Sequence, residues 1–224
     1  MVTVTNFWRT VDNEMPVALW RRLLPSRVVL GAGLELGLNA FPGSFGAGKR
    51  AWQSNSIDTV RGSAAAYLAQ GADRIYLFNY MDSDTAMDDN STYPRLLREM
   101  GDATAMRANG RRHVVTYQDT WAPGEKAAYK LPVEAEAGRW FSIRQPVGSE
   151  PERFRPFVRI GVRGGDASGW DVRCNGAQAT FERVENGLKP GPDTPVYRFA
   201  AKLATTEDRK STRLNSSHVA LSRM

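Results

Sequence analysis

The stretch VVLGAGLELGL at residues 28–38 decides the fold, because it is apolar along almost all of its length. A strand that is buried on both faces has this pattern, and such strands occur in parallel sheets that helices cover. Strand-like runs also occur at residues 2–7 and 73–80, with helical patterns between the three runs. Residues 1–101 therefore predict a β-α-β-α-β-α order, which is typical of a parallel sheet with crossover helices.

Start and stop signals place the helices along this region. The first helix is predicted within residues 12–24. Ser54 or Asn55 is expected to open the second helix and Gly71 to end it, since glycine commonly follows a helix terminus. The third helix is predicted over residues 93–100, with a proline in its first turn.

The second half of the chain has a different pattern. Short strand-like runs about ten residues apart, separated by Gly, Pro and Asp, predict an antiparallel β-sandwich. These runs are residues 113–117, 127–131, 140–144, 158–163, 170–174, 179–184 and 196–200. Asn175 and Gly176, between two of the runs, predict a tight hairpin turn.

The predicted organisation has four parts. Three βα units lie at residues 1–101, a linker at 102–112, a β-sandwich at 113–207 and a tail at 208–224. Three βα units are too few to close a barrel. We therefore expect a fragment in which both structured regions are incomplete.

The tail, DRKSTRLNSSHVALSRM, has neither an apolar period nor capping or turn signals, so no regular element is predicted in it. It resembles a translated sequencing adapter. Residues 208–218 match the constant part of a common short-read adapter without a mismatch, and residues 222–224 match its next constant segment. We expect residues 208–224 to be non-native and to carry no function.

Charge and rare residues narrow the function. The formal net charge is +6 and the pI about 9.7, values that are typical of nucleic-acid binding. The tail contributes half of this charge, so no nucleic-acid partner is expected.

The single cysteine, Cys174, excludes a disulfide framework and a cysteine zinc site, and no metal or other cofactor is predicted. No apolar run reaches the ~18 residues of a transmembrane helix, so no membrane span is expected. Localisation and oligomeric state stay open.

Carboxylates are the candidates for acid–base chemistry, because one histidine is left outside the tail. In parallel α/β folds, functional groups follow the carboxyl ends of strands. Asp12 follows the first predicted strand, Asp82 follows the third, and Glu35 is the lone charge in the second. A charge buried in a strand is costly unless it is paired or functional. Glu35 is therefore a candidate catalytic group, the structural partner of an arginine such as Arg50 or Arg61, or a side chain on an exposed edge.

Aromatic and amide side chains cluster near the same strand ends. Sugar rings have apolar C–H faces that stack on aromatic rings, while amides and carboxylates bind their hydroxyls. Six residues are the candidate carbohydrate-binding residues: Trp8, Asn39, Trp52, Asn79, Tyr80 and Asp84. Ordinary core packing is the alternative for the aromatic members.

A glycine-rich segment at residues 43–50 (GSFGAGKR) matches the spacing GxxxxGK. A phosphate-binding loop needs Ser or Thr directly after the lysine, where this chain has Arg50. Because of this mismatch, nucleotide binding by an α/β protein ranks last among three candidate functions.

Four stretches resemble the last barrel units of bacterial glycoside-hydrolase-like proteins, in which a (β/α)8 barrel precedes a β-sandwich module. They are VTNFW with MPVALWRRLL, VVLGAGLELGLNAFP, RGSAAAYLAQGADRIYLFNYMD and RRHVVTYQDTW. The segment WDVRCNG at residues 170–176 resembles a strand and turn of the galactose-binding-like sandwiches appended to such enzymes. The implied fold class is α/β, with about the last three βα units of a partial (β/α)8 barrel followed by an incomplete antiparallel β-sandwich.

The resemblance also implies a function. Glu35 takes the position of the catalytic nucleophile at the end of the seventh barrel strand, with Asp12 and Asp82 as lesser candidates, and the acid/base residue lies outside this chain. The chain is then an inactive fragment of a carbohydrate-active enzyme. The alternative is a non-catalytic carbohydrate-binding or cell-surface protein that reuses the same barrel and sandwich.

Overall fold

The computed structural model describes residues 1–5, 15–39, 52–81, 87–100, 102–115, 133–148, 154–185, 194–202 and 216–223. Residues 216–223 and Asn39, Trp52, Gln53, Arg107 and Arg144 are described through their backbone alone. The chain divides into two compact units. Unit 1 comprises residues 1–132 with 146–151, and unit 2 comprises 133–145 with 152–224. The described helices all lie in unit 1 and both units contain strands, so the chain is mixed α/β, as predicted.

Unit 1 alternates strands and helices. Its elements are β1 (Val2–Thr5), α1 (Val17–Leu23), β2 (Leu30–Glu35), β3 (Gly37–Asn39), β4 (Trp52–Ser54), α2 (Ile57–Ala69), β5 (Arg74–Phe78), a 3-10 helix (Asn90–Thr92), α3 (Tyr93–Glu99) and α4 (Ala103–Ala108). β1, β2 and β5 form a parallel sheet with β2 in the centre. The predicted parallel pairing of the first three strand-like runs is confirmed within these ranges.

The apolar run at residues 28–38 forms two strands, and the single predicted strand is wrong. β2 ends at Glu35, and β3 leaves the sheet to pair antiparallel with β4. The break lies at Leu36, whose N–H donates to Oε1 of Glu35 at 2.9 Å and whose carbonyl oxygen accepts from the Asn55 N–H at 3.0 Å. These contacts replace the strand ladder at Leu36, and hydrophobic periodicity does not reveal such contacts.

One face of the parallel sheet is apolar and covered by helices. The residues that share this core are Val2, Val4, Leu30, Ala32, Leu34, Ile75 and Leu77 from the sheet, and Val17, Val60, Ala64 and Tyr67 from α1 and α2. Because both helices enter the same cluster, they cover the same face of the sheet. Apolar burial at about 25 cal/mol per Å² makes this face the main stabilising contact of unit 1.

The ends of α2 follow capping chemistry. The hydroxyl oxygen of Ser56 accepts from the Thr59 N–H at 3.2 Å and caps the helix, which begins with the next residue. The start predicted at Ser54 or Asn55 is therefore too early, because Asn55 uses its side chain on the end of β2 instead. Gly71 ends the helix with a φ of +101°, as predicted.

Residues 102–112, predicted as a linker, contain the helix α4. Oδ1 of Asp102 accepts from the N–H groups of Thr104 and Ala105 at 2.8 and 3.1 Å and caps this helix. Met106 is fully buried in the core of unit 1. A single large apolar residue is too weak a period for the sequence to indicate a helix.

α2 lies in close contact with the segment that follows α4. The Arg112 N–H donates to the Asp58 carbonyl oxygen at 2.9 Å. A Cβ atom at Gly62 would overlap the carbonyl oxygen of Arg112. The approach of the two backbones therefore depends on the missing side chain at Gly62.

We expect Gly62→Ala to destabilise unit 1, although alanine in an exposed helix is favoured over glycine by about 1 kcal/mol. The Arg112 backbone would have to move to admit the new methyl group. The measurement is the urea midpoint of unfolding. Gly110→Ala is the matched control, because no atom lies within 4 Å of its added Cβ. A Gly62→Ala protein that is more stable than the wild type would contradict the close contact.

A buried ion pair joins α2 to α3. The Arg61 guanidinium donates to both carboxylate oxygens of Glu99, from Nε at 2.7 Å and from Nη2 at 3.0 Å. The Arg61 side chain is 4% exposed and that of Glu99 10% exposed. The exposed side chain of Arg95 also donates to Glu99, at 2.8 Å. The hydrogen bonds from Arg61, aided by Arg95, hold the pKa of Glu99 below its usual value.

Glu99→Gln should lower the free energy of unfolding by about 3 kcal/mol near neutral pH, because the buried Arg61 then keeps only the half-exposed carboxylate of Asp58 as a charge partner. The lowered pKa of Glu99 stabilises the fold above the unfolded-state pKa of about 4.3, and this contribution is lost as the pH falls through the folded-state pKa. Denaturant unfolding across the acid range measures both effects. The variant should lose much of the wild-type pH dependence, whereas Arg95→Ala should cost at most about 1 kcal/mol.

Unit 2 is built on an antiparallel sheet. Its strands are β6 (Trp140–Pro146), β7 (Phe157–Gly161), β8 (Trp170–Cys174), β9 (Ala177–Glu185), β10 (Val196–Ala200) and β11 (Ser216–Arg223), in the spatial order β6-β11-β8-β9-β10-β7. Five of the predicted strand runs are confirmed with small shifts at their ends. Residues 113–115 form no strand, and the rest of that run and the run at 127–131 lie outside the described residues.

The hairpin between β8 and β9 is confirmed as predicted. Asn175 and Gly176 have φ angles of 52° and 86°, and they join Cys174 to its cross-strand partner Ala177. Two consecutive positive φ angles match the twist of the flanking strands. The core on this sheet contains Val172, Tyr197 and Phe199 among its buried residues.

The tail contains β11, although its sequence predicts no regular element. β11 pairs antiparallel with β8, from Val219 opposite Cys174 to Arg223 opposite Trp170. Backbone N–H and C=O groups at the edge of a sheet pair with an extended segment whatever its side chains. The backbone partner therefore explains the strand that the sequence pattern misses.

Candidate functional site

The carboxyl ends of β1, β2 and β5 lie at one edge of the parallel sheet, because the three strands run in the same direction. Glu35 is the last residue of β2, and Asn79 and Tyr80 directly follow β5. The structure thus brings together three of the predicted site residues. The register supports this placement, since Glu35 lies opposite Phe78.

The Glu35 side chain is held by two donors. Oε1 accepts from the Leu36 N–H at 2.9 Å and from Nδ2 of Asn79 at 3.0 Å. Among the described residues, Oε2 accepts no hydrogen bond. Glu35 is 3% exposed and is thus buried at the strand end. A carboxylate fixed through one oxygen leaves the other available to a ligand or a reacting atom.

Arg50 and Arg61 are the two predicted arginine partners of the Glu35 carboxylate. Arg61 pairs with Glu99 and Asp58, so an ion pair between Arg61 and Glu35 is wrong. Arg50 lies outside the described residues. Neutral N–H donors, and not a guanidinium, are the described contacts of the Glu35 carboxylate.

Asn79 reaches Glu35 from a left-handed backbone conformation, with a φ of 66°. Asparagine tolerates this region better than most residues with a side chain. The conformation ends β5 and places the Asn79 amide beside the carboxylate. An asparagine that sequence reasoning assigned to a sugar hydroxyl therefore also positions the candidate catalytic group.

Asn55 is a buried residue whose role sequence reasoning missed. Its Nδ2 donates to the Glu35 carbonyl oxygen at 2.7 Å and to the Tyr80 hydroxyl at 3.2 Å, while its Oδ1 accepts from the Thr59 hydroxyl at 2.8 Å. The side chain links the end of β2, the segment after β5 and the first turn of α2. The sequence pattern at residues 54–56 indicates only a helix start, and its long-range contacts depend on the fold.

Tyr80 is buried, and its hydroxyl donates to the Glu35 carbonyl oxygen at 3.3 Å. Burial raises the pKa of this hydroxyl far above its usual range, although the Asn55 hydrogen bond opposes the shift. Tyr80 is therefore a neutral donor at physiological pH. The Tyr93 hydroxyl donates to the Tyr80 carbonyl oxygen at 2.9 Å and fixes the backbone after β5.

The sheet face opposite the helices carries a different set of side chains. Strand alternation places on it Thr3, Thr5, Gly31, Gly33, Glu35, Arg74, Tyr76 and Phe78. The Thr3 and Thr5 side chains lie over the two glycines, and the Tyr76 and Phe78 rings are 6.4 Å apart. Tyr76 is 50% exposed. Glu35 thus lies on a face with accessible aromatic and hydroxyl groups, which we call the open face.

The other predicted site residues are described in part or not at all. Asn39 and Trp52 are cross-strand partners in the β3–β4 hairpin, which brings their backbones together. Trp8, Asp12, Asp82 and Asp84 lie outside the described residues, and so does the glycine-rich segment at 43–50. Their predicted roles stay predictions.

Metal binding and thiol reactivity can also be assessed for the described residues. No three His, Cys, Asp or Glu side chains among them are grouped so that they could hold a metal ion. Burial raises the pKa of the Cys174 thiol to about 11, so this group is a thiol and not a reactive thiolate near neutral pH.

Comparison with known proteins finds no matching family model and no similar curated protein. Within the described ranges, no helix has the length and apolar character needed to cross a membrane.

Asn55→Ala should lower the free energy of unfolding by about 2 to 3 kcal/mol, because it leaves buried carbonyl and hydroxyl groups without a donor. Tyr80→Phe removes a single hydroxyl from the same network and should cost about 1 kcal/mol. Urea unfolding of the two variants measures the difference. Equal decreases in the free energy of unfolding for the two variants would contradict the conclusion that Asn55 is the centre of this hydrogen-bond network.

Proposed function

We propose that this chain is part of a carbohydrate-active, glycoside-hydrolase-like protein. In this proposal, unit 1 is part of a (β/α)8 barrel and unit 2 is an incomplete antiparallel β-sandwich. Glu35 is the catalytic nucleophile, and the open face is the inner wall of the barrel. The observation that carries the proposal is the position of Glu35 on that face, at the carboxyl end of the central strand.

The arrangement of helices supports the barrel. β1, β2 and β5 follow one another in both sequence and space among the parallel strands, and α1 and α2 cover the same face. In a (β/α)8 barrel every helix lies outside the sheet, whereas a doubly wound sheet has helices on both faces. The open face would then line the interior, where barrel enzymes bind their substrates at the carboxyl ends of the strands.

The open face has the chemistry that a saccharide requires. The exposed Tyr76 ring can stack on the C–H face of a sugar, and Thr3 and Thr5 carry hydroxyls. Oε2 of Glu35, which accepts no hydrogen bond from the described residues, would attack C1 of the sugar, while Leu36 and Asn79 hold Oε1. The same hydrogen bonds fix the direction of the carboxylate before a substrate binds.

Hydrolysis needs a second carboxylate as acid/base. The described side-chain partner of Glu35 is the Asn79 amide, which cannot take this role. We therefore expect saccharide binding and glycosyl transfer to Glu35 from an activated donor, without turnover of natural glycosides. A non-catalytic carbohydrate-binding protein is the second candidate, favoured by the same exposed ring of Tyr76.

Activated donors can separate the two candidates, because they need no acid catalyst. With 2-deoxy-2-fluoroglycosyl fluorides of glucose, galactose and mannose, an oxygen of Glu35 forms a bond to C1 as the C1–F bond breaks, and fluoride leaves with the electron pair. The fluorine at C2 slows hydrolysis of the product. We expect one added glycosyl group on the peptide that contains Glu35, detected by mass spectrometry of the digested full chain.

The controls are Glu35→Gln, which should abolish labelling, and Asp102→Asn, which changes an exposed carboxylate outside the parallel sheet to an amide that still caps α4. Saccharide-induced changes in tryptophan fluorescence report binding separately. Binding without labelling would support the non-catalytic candidate, and neither binding nor labelling would contradict both. A nucleotide-dependent rise in Tm would favour the phosphate-loop alternative instead.

A further inference from the structure

The outer edge of β8 is paired with a segment whose sequence predicts no strand. β8 is bonded to β9 on one side, from Val172 opposite Ala179 to Cys174 opposite Ala177. On its other side it is bonded to β11, through five residue pairs without a register shift. The tail thus supplies a complete antiparallel partner for the whole length of β8.

β11 also determines the neighbours of β6. In the sheet order β6-β11-β8-β9-β10-β7, β6 is joined to the other described strands through β11. Without β11, the backbone groups on the outer edge of β8 would lack a partner, and such edges bind extended chains readily. The remaining strands β8, β9, β10 and β7 are paired with one another independently of β11.

We infer that the position between β6 and β8 is a strand-acceptor site for an extended polypeptide, which it binds through the backbone. The site is distinct from the open face of unit 1. Its occupant in this chain is the segment 216–223, whose sequence pattern predicts no strand. A partner of this class adds a strand antiparallel to β8, and main-chain hydrogen bonds supply most of the affinity.

Because the proposed recognition uses the backbone, pairing with β8 should require the N–H groups of the bound segment and should depend little on its side chains. Successive N–H groups of an antiparallel strand point alternately to its two neighbours, so one of two consecutive residues always faces β8. Proline has no N–H group and interrupts the ladder, whereas threonine keeps it and favours extended structure. The double variant Val219→Pro/Ala220→Pro therefore tests pairing, and Val219→Thr/Ala220→Thr tests dependence on side chains.

The experiment follows amide hydrogen exchange of β8 in the full chain. In the proline variant, exchange in Trp170–Cys174 should accelerate by at least about tenfold, since its outer amides become open to water. β10 is the internal reference, because β7 and β9 flank it on both sides. The threonine variant should keep the wild-type protection of β8.

A synthetic peptide of residues 216–223, added to the proline variant, should restore the protection of β8, whereas the same peptide with N-methylated alternate residues should not. Unchanged protection in the proline variant would overturn the inference, and so would loss of protection in the threonine variant. Failure of the unmodified peptide to restore protection would also overturn it. None of these outcomes depends on saccharide binding by unit 1.

Discussion

The structure around the carboxyl end of β2 depends on the hydrogen bonds of the Asn55 side chain. It binds the last carbonyl of β2, the hydroxyl after β5 and a hydroxyl in the first turn of α2, in a region with little access to water. Hydrogen bonds in such surroundings are strong when complete and costly when a partner is missing. The Asn55 side chain therefore fixes the backbone at the end of the central strand, where Glu35 lies.

The central strand β2 divides two tasks between its faces. Leu30, Ala32 and Leu34 pack against helices, while Gly31, Gly33 and Glu35 alternate with them on the open face. Stability thus comes from one set of side chains and the proposed chemistry from the other. A substitution on the open face can alter ligand contacts without opening the apolar core, because the two sets do not share a face.

The sequence was sufficient for the features that depend on local pattern. The continuous apolar run indicated a buried parallel strand, although the run is divided between β2 and β3. Gly71 indicated a helix end, and Asn175 with Gly176 indicated a hairpin. Glu35 stood out as a charge within an apolar run. These features depend on residues close together in the chain, where periodicity and backbone preference act directly.

The features that the sequence did not indicate depend on long-range contacts. Asn55 looks like a cap from its neighbours and becomes a link between three elements only when β2 and β5 are side by side. α4 is held by the burial of Met106, and β11 is held by the backbone of β8. Local propensity is a weak guide wherever such contacts provide most of the stability.

The Thr5 side chain lies over Gly33 so closely that a Cβ atom at position 33 would overlap it. The two residues are neighbours in the sheet but lie on different strands. A side chain at position 33 therefore requires a smaller residue or a shifted backbone at position 5, so substitutions at the two positions are sterically coupled. Residues 5 and 33, which are far apart in the sequence, thus together determine how closely β1 and β2 pack on the sheet face that contains Glu35.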